Sequence, residues 1–497
     1  MNAKIPSASP ESNAAALRAK SFNAAMGARP GDLDLHIPAS EIQGEVPAAL
    51  RGGHMLSNGP GWTRIGGWTA HPFDGHGYMR AFCLEEDGSC RLRARFVGTA
   101  VYQREAATDR MLVRGFATNL PDSMWKNMGW GEPRNVANTT VVRWGDAVLA
   151  GWEGGAPHAM DPDSLATRGE ETFGGAIAGQ ATLAHMKRDC ARERLLLCSI
   201  APGRDTTLTW REIDEAGQLR SSVATKIPGA LFAHDFCFTA SHYILGANPL
   251  RLQPKELAKM MIGRSTLLEA VATRPEDSHA LYLVPRDGGP MRTVKLPGPA
   301  FVVHFGNAFE EADGTIHLDV SVFSDFEFGN EFGYQGPKAP FDPSLPDQRE
   351  PQRVMRVTIR PGASEASWRR LGEHAMDFPR VHPEHEGQET PWLFGATRSD
   401  TRYGDPFDAL IAYDLRDLER PPLLWSAPEH VFVGEPLFAP DPSDPAAGHV
   451  MAVLSEGLQE RTLLAIFDAT KLDAGPVAKI PMPLLPIAFH GEWQRGS

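Results

Sequence analysis

Four histidines stand in or at the end of short apolar runs. His185 closes Ala181-Thr-Leu-Ala-His185, and His234 closes Leu231-Phe-Ala-His234. His304 lies inside Phe301-Val302-Val303-His304-Phe305, and His490 closes Pro486-Ile-Ala-Phe-His490. A lone histidine in such a place is most often a core residue bonded to backbone. Four of them, far apart in the chain, point to strands converging on one metal, for which neutral imidazole is a common ligand. Four neutral ligands leave a 2+ charge uncompensated, so carboxylates are needed one shell out, each accepting the second ring N–H of a histidine. Val148-Leu-Ala-Gly-Trp152-Glu153 and Val431-Phe-Val-Gly434-Glu435 each place a glutamate at the end of an apolar strand. Taken singly, either also reads as a surface ion pair.

The elements that position these groups are strands. Phe301 to Phe309 reads as a buried strand ended by the turn Glu311-Ala-Asp-Gly314. The 48 glycines and 41 prolines are spread along the chain and mark many turns. Apolar strands followed by Asp and a polar turn recur, as in Leu281-Tyr-Leu-Val-Pro-Arg-Asp287, Leu410-Ile-Ala-Tyr-Asp414 and Leu463-Leu-Ala-Ile-Phe-Asp468. Recurrence at irregular intervals of roughly 50 to 70 residues fits propeller blades with insertions, and it fits generic hairpins equally well.

The 497 residues are 42% hydrophobic and 22% charged, as in a soluble globular protein. No linker divides the chain after Asp32, so residues 31–497 are expected to form one domain, preceded by a loosely ordered arm over 1–30 in which Ser9-Pro10 is a helix-start signal. A net charge of −13 argues against a nucleic-acid partner. Five cysteines without CxxC spacing indicate neither a disulfide framework nor a thiolate zinc site, which fits a reducing cytoplasm. The first residues show no apolar core of a secretory signal, and no apolar run is long enough to span a bilayer. The stretch 254–271 has near-helical apolar spacing, with Pro254 at a first turn. It reads either as a helix packed on a sheet or as an apolar patch in peripheral contact with a membrane.

Several motifs follow one another in a specific order: Gly44-Glu-Val-Pro47, Ser57-Asn58-Gly59-Pro60, His71-Pro-Phe-Asp74-Gly75, Asn135-Val-Ala-Asn138-Thr139, His234-Asp-Phe236, His304-Phe-Gly-Asn307 and Phe489-His490-Gly491-Glu-Trp493. In these the chain resembles the carotenoid cleavage oxygenases, a family that also contains the retinal pigment epithelium isomerase and the lignostilbene dioxygenases. The resemblance runs from about Gly44 to Trp493. It implies an all-β fold, a seven-bladed β-propeller with a helical and loop cap over the metal-bearing axis. It implies Fe(2+) held by His185, His234, His304 and His490, with Glu153 and Glu435 behind them. A third glutamate of the family stands in a Glu-Phe-Pro-Arg context, where this chain reads Asp377-Phe378-Pro379-Arg380. Asp is one methylene shorter, so its contact to a histidine is expected to be longer or shifted. Met186 replaces a proline that usually follows the first ligand. Thr139 matches a threonine whose methyl group crowds an open metal position and steers O2, although by type it is also an ordinary strand residue. His71 and His76 are expected to be structural, and Pro383 breaks the helix that His382 and His385 would need to act as a metal pair.

The implied function is that of a non-haem iron dioxygenase, with an open face at which O2 is activated to attack a C=C bond of a carotenoid or apocarotenoid, giving carbonyl products. Competing readings are a stilbenoid-cleaving dioxygenase and a retinoid isomerohydrolase or binding protein. Lignostilbene cleavers carry a phenol-binding lysine just before the first outer glutamate, and Trp152 stands there instead. That favours an apolar polyene. Phe116, Trp125, Phe236 and Phe301 are candidate tunnel residues, and a monomer is favoured.

Overall fold

Middle strands such as His76–Leu84 and Ala409–Asp414 are buried at every position. That burial requires cover on both faces of each sheet, which an isolated hairpin lacks and a ring of packed blades supplies. The computed structural model describes residues 10–121, 124–324, 326, 332–345, 350–400 and 406–496.

Among the described residues, seven sheets of four to six strands succeed one another along the chain, and two further sheets are two-stranded ribbons. We number the blades from the one that holds both ends of the propeller. In blade 1 the C-terminal strand His490–Gln494 pairs antiparallel with His54–Asn58, which pairs in turn with His76–Leu84. Blade 7 receives the early strand Gln43–Gly44 on its outer edge, against Pro476–Pro483. The ring is thus closed by hydrogen bonds at two places.

The core is distributed between blades rather than gathered at one centre. Tyr78 and Phe82 of blade 1 meet Met451 and Ile480 of blade 7 in one buried cluster. Leu281 and Ile244 of blade 4 meet Val320 and Val357 of blade 5 in another. Phe394 of blade 6 meets Phe438 and Phe467 of blade 7. These interfaces bury apolar side chains from two sheets, so each blade leans on its neighbours.

The structure alters one expectation about the N-terminal region. Within the described residues a helix spans Pro10–Met26. It is docked rather than loose. Phe22 and Met26 are buried against Phe341, Phe432 and Phe489, Arg18 pairs with Asp408 at 3.2 Å, and Asn23 exchanges hydrogen bonds with the backbone of Phe341 in both directions. Three shorter helices, Ala100–Ala106, Pro254–Met261 and Leu267–Ala270, lie outside the blades.

Candidate metal centre

The first strand of each blade, or the last strand of the chain in blade 1, lies on the inner edge, and its hydrogen-bond ladder is irregular where a ligand is needed. His185 falls in the gap between Ala181–Thr182 and Lys187–Asp189, two segments that pair with the same strand, Arg194–Ala201. His234 precedes Cys237–Phe238, just after an isolated bridge at Leu231. His304 lies where the register of Phe301–Glu310 slips between Val302 and Phe305. His490 opens the closing strand. A bulge or break of this kind re-aims a side chain out of the pleat, here toward the axis.

The four imidazoles meet. Their ligand atoms all lie within 4.8 Å of one another. His234 Nε2 is 3.2 Å from His185 Nε2 and 3.1 Å from His304 Nε2. The outer nitrogens of three of them face carboxylates. His304 Nδ1 is 2.8 Å from Asp377 Oδ1, His490 Nδ1 is 2.9 Å from Glu435 Oε1, and His234 Nδ1 contacts Glu153 Oε1. A carboxylate fixes the proton on Nδ1, so the Nε2 atoms of these three rings present lone pairs to one another. Lone pairs at 3.1 Å repel unless a cation lies between them, so the donor set fits a divalent metal.

Electrostatics agree with that reading. Burial, followed by the neighbouring imidazoles, holds His185 well below its ordinary pKa. Burial lowers His490 to about 4 even though Glu435 opposes the shift. Burial also opposes the charge on Asp377 and Glu435, but His304 for the first and Arg380 with His490 for the second outweigh it, so both stay ionised. His304 shifts the other way, since its burial is outweighed by Asp377, which raises it. The site thus sets buried ring nitrogens inside and negative charge behind them.

One side of the cluster opens into an apolar cavity of about 510 Å³, onto which His234, His304 and His490 all abut. Its walls include Phe73, Phe116, Phe232, Phe326, Phe378 and Phe489. Among the described lining residues there is no lysine or tyrosine. The two arginines on the wall are committed: Arg114 to the backbone oxygens of Asn127, Gly129 and Ser265, and Arg134 to Glu105 at 2.7 and 2.8 Å. Thr139 lines the same cavity, with its hydroxyl donated to Asn138 Oδ1 at 3.1 Å.

Asp377 differs from expectation, because its contact to His304 is of ordinary length. The strand Asp377–Arg380 is bulged, and Phe378 takes a left-handed φ of 51°, unusual for a bulky residue. This kink accompanies the reach of the shorter side chain. Of the proposed tunnel aromatics only Phe116 lines the cavity. Phe301 and Phe236 are fully buried in packing clusters, and Trp125 is 76% exposed. Two of the remaining histidines serve local structure. His71 caps the turn Pro72–Asp74 by accepting the N–H of Phe73, and His76 is 2.8 Å from Glu105. His382 and His385 stack on each other, outside the four-histidine group. Asp235 and Lys187, which the sequence reading gave no role, form a buried pair beside the centre at 3.0 Å.

The family model for the retinal pigment epithelial membrane protein matches residues 29–495. The chain belongs to this family. Within it, the chain is 31% identical over 465 residues to the apocarotenoid-15,15'-oxygenase of Synechocystis, covering 91% of this chain and 92% of that one. It is also 31% identical to the chloroplastic carotenoid cleavage dioxygenase 7 of Oryza sativa (92% and 88% covered), and 28% identical to the isoeugenol monooxygenase of Pseudomonas putida (94% and 96% covered). The cobalt-substituted Synechocystis apocarotenoid oxygenase superposes with a TM-score of 0.87 at 29% identity, over 96% of this chain and 99% of that one. The fold of this family member is accordingly a seven-bladed propeller. Its chain departs from the family's usual text at Met186, which is buried among blade 2 and blade 3 residues beside the ligand it follows.

Proposed function

We propose that this protein is a non-haem Fe(II) dioxygenase that cleaves a C=C bond of a carotenoid or apocarotenoid with O2, giving two carbonyl products. One observation carries the reading: a four-histidine centre closes the inner end of a 510 Å³ cavity walled by aromatic and aliphatic side chains. His185, His234, His304 and His490 would hold the metal, with Glu153, Asp377 and Glu435 orienting three of them. When bound, ferrous iron supplies the electron density that activates dioxygen. The chain's own contribution is placement. Phe73, Phe232, Phe326 and Phe489 exclude water and leave a long apolar molecule few ways to lie, so one double bond is held against the centre. Thr139, with its hydroxyl engaged by Asn138, has its methyl left for the cavity and narrows the approach for O2.

A phenolic substrate is disfavoured. Trp152 lines the cavity where a lysine would assist phenol ionisation, and no described wall residue replaces it.

The polyene would be drawn from a bilayer. Trp125, Met128, Trp130, Met261 and Ile262 are all at least 40% exposed. They are joined by the bridge between Met128 and Ile262 and by the hydrogen bond from Gly129 N–H to Met261 O. Trp130 also lines the cavity, so this patch borders the substrate route. Of the stretch 254–271, Met260 is buried and lines the cavity with Leu267, and the outward part is Met261 and Ile262. No helix among the described residues is long and apolar enough to cross a membrane. We take residues 31–497 as one domain acting as a monomer.

The test is aerobic incubation of the Fe(II)-loaded protein with a panel of apocarotenals and a 4-hydroxystilbene, read by product mass. Paired aldehydes or ketones from the polyenes are expected. Cleavage of the stilbene alone would overturn the substrate assignment, and isomerised but uncleaved polyene would overturn the reaction.

A further inference from the structure

His185 differs from the other three ligands. Among the described residues no carboxylate hydrogen-bonds its outer nitrogen, and the carboxylate facing it, Asp235 Oδ1, lies 3.8 Å from Nδ1, beyond hydrogen-bond range. Asp235 is buried, and its two oxygens are fully engaged. Oδ1 lies 3.0 Å from Lys187 Nζ in an ion pair and accepts from the N–H of Phe236 at 2.8 Å. Oδ2 accepts from Lys187 Nζ at 3.3 Å and from the N–H of Phe305 at 2.9 Å. These partners share one feature. Lys187 is two residues beyond His185, Asp235 follows His234, and Phe305 follows His304.

We propose that the buried Lys187–Asp235 pair is the positioning device for His185, tying the ligand-bearing segments of blades 3, 4 and 5 to one carboxylate. This rests on the reading of the four histidines as a metal centre. The other ligands are held through the ring, by a carboxylate on Nδ1. His185 is held through its backbone, because the ion pair pins the chain two residues later. The pair suits a position where direct ring contact is missing. A carboxylate held by three donor groups does not rotate, and a buried ammonium is strongly bound to the carboxylate it pairs with. Charge balance points the same way. Glu153, Asp377 and Glu435 already place three negative charges behind a divalent ion, and Arg380 lies 3.6 Å from Glu435. A fourth uncompensated carboxylate would overcharge the site, and Lys187 cancels it.

Cobalt(II) titration of the metal-free chain, followed by absorption spectroscopy, tests this without turnover. The wild-type chain is expected to bind one ion, and its failure to do so would overturn the metal-centre reading together with this proposal. Asp235→Asn keeps the shape but removes the charge, and it should raise the cobalt dissociation constant about 10- to 100-fold and alter the ligand-field bands. Lys187→Met, which leaves the backbone hydrogen bonds of Asp235 in place, should act in the same direction, and Lys187→Arg should stay within a few-fold of wild type. Circular dichroism verifies folding, and Lys187→Met carries the test if Asp235→Asn does not fold. The deciding comparison is with His185→Ala. If the pair acts through His185, adding Asp235→Asn to His185→Ala has little further effect. Unchanged affinity and spectrum in the charge-removing variants, or a full additive loss in the His185→Ala background, overturns the proposal while leaving the metal centre intact.

Discussion

His490 illustrates what the proposed ligand histidines require before any metal binds. It is 5% exposed, and burial lowers its pKa from the ordinary 6.5 to about 4. The folded value lies below the unfolded one, so the unfolded chain takes up a proton first as the pH falls. The stability this group contributes is present above pH 6.5 and is lost progressively down to about pH 4. Each pH unit in that window weakens the fold by about 1.4 kcal/mol for one such residue. Metal-free protein should therefore show a urea midpoint that is flat above neutrality and drops between pH 6.5 and 4.5. His490→Gln, which cannot titrate, should show a shallower drop over the same range. An identical slope in both proteins would mean that other groups, such as the buried His76, dominate the acid response. Bound metal competes for the same nitrogen, so affinity should fall in the same direction.

At the scale of elements, a ligand appears where a strand stops being regular. The break around His185, the slip at His304 and the kink at Phe378 convert inner strands from ladder to scaffold. This explains which parts of the site were legible in the sequence. His185, His234 and His490 end apolar runs and His304 interrupts one, so each carries a local signal, and Glu153 and Glu435 carry the same one. The role of Lys187 and Asp235 has no such signal, since each reads as a charge beside a histidine and their pairing joins separate blades. Three of the four tunnel aromatics, all but Phe116, failed for a related reason. Residue type shows that Phe301 is buried, but whether it faces Phe323 or the cavity depends on which side of the strand the next blade covers. The apolar patch shows the complementary limit, because the segment 125–130 meets the end of the helix Pro254–Met261 through a tertiary contact. Trp125→Glu with Met261→Glu should reduce liposome binding several-fold while leaving turnover of detergent-dispersed substrate near wild type, since neither residue lines the cavity. Unchanged sedimentation with liposomes would mark the patch as ordinary surface.

Across the whole molecule, the proposed metal centre and the ring closure are one construction. The four ligands come from blades 1, 3, 4 and 5, and blade 1 owes its ligand to the C-terminal strand that pairs with His54–Asn58. Releasing any one of these blades breaks the site, so binding energy should appear as stability of the ring rather than of one segment. A ligand held at about 100 times its dissociation constant adds roughly 2.7 kcal/mol. Unfolding entropy near 2.1 cal/mol/K per residue makes that a modest temperature shift in a chain of this size, about 3 °C. Metal-free protein titrated with Fe(II) under argon should therefore melt in one transition that moves up by a few degrees and returns when a chelator is added. His185→Ala, which lacks one of the four nitrogens, should move less at the same metal concentration. A transition that stays in place although metal is bound would mean that the inner strands open before the ring does, and the centre would then be a local clasp rather than the tie between blades.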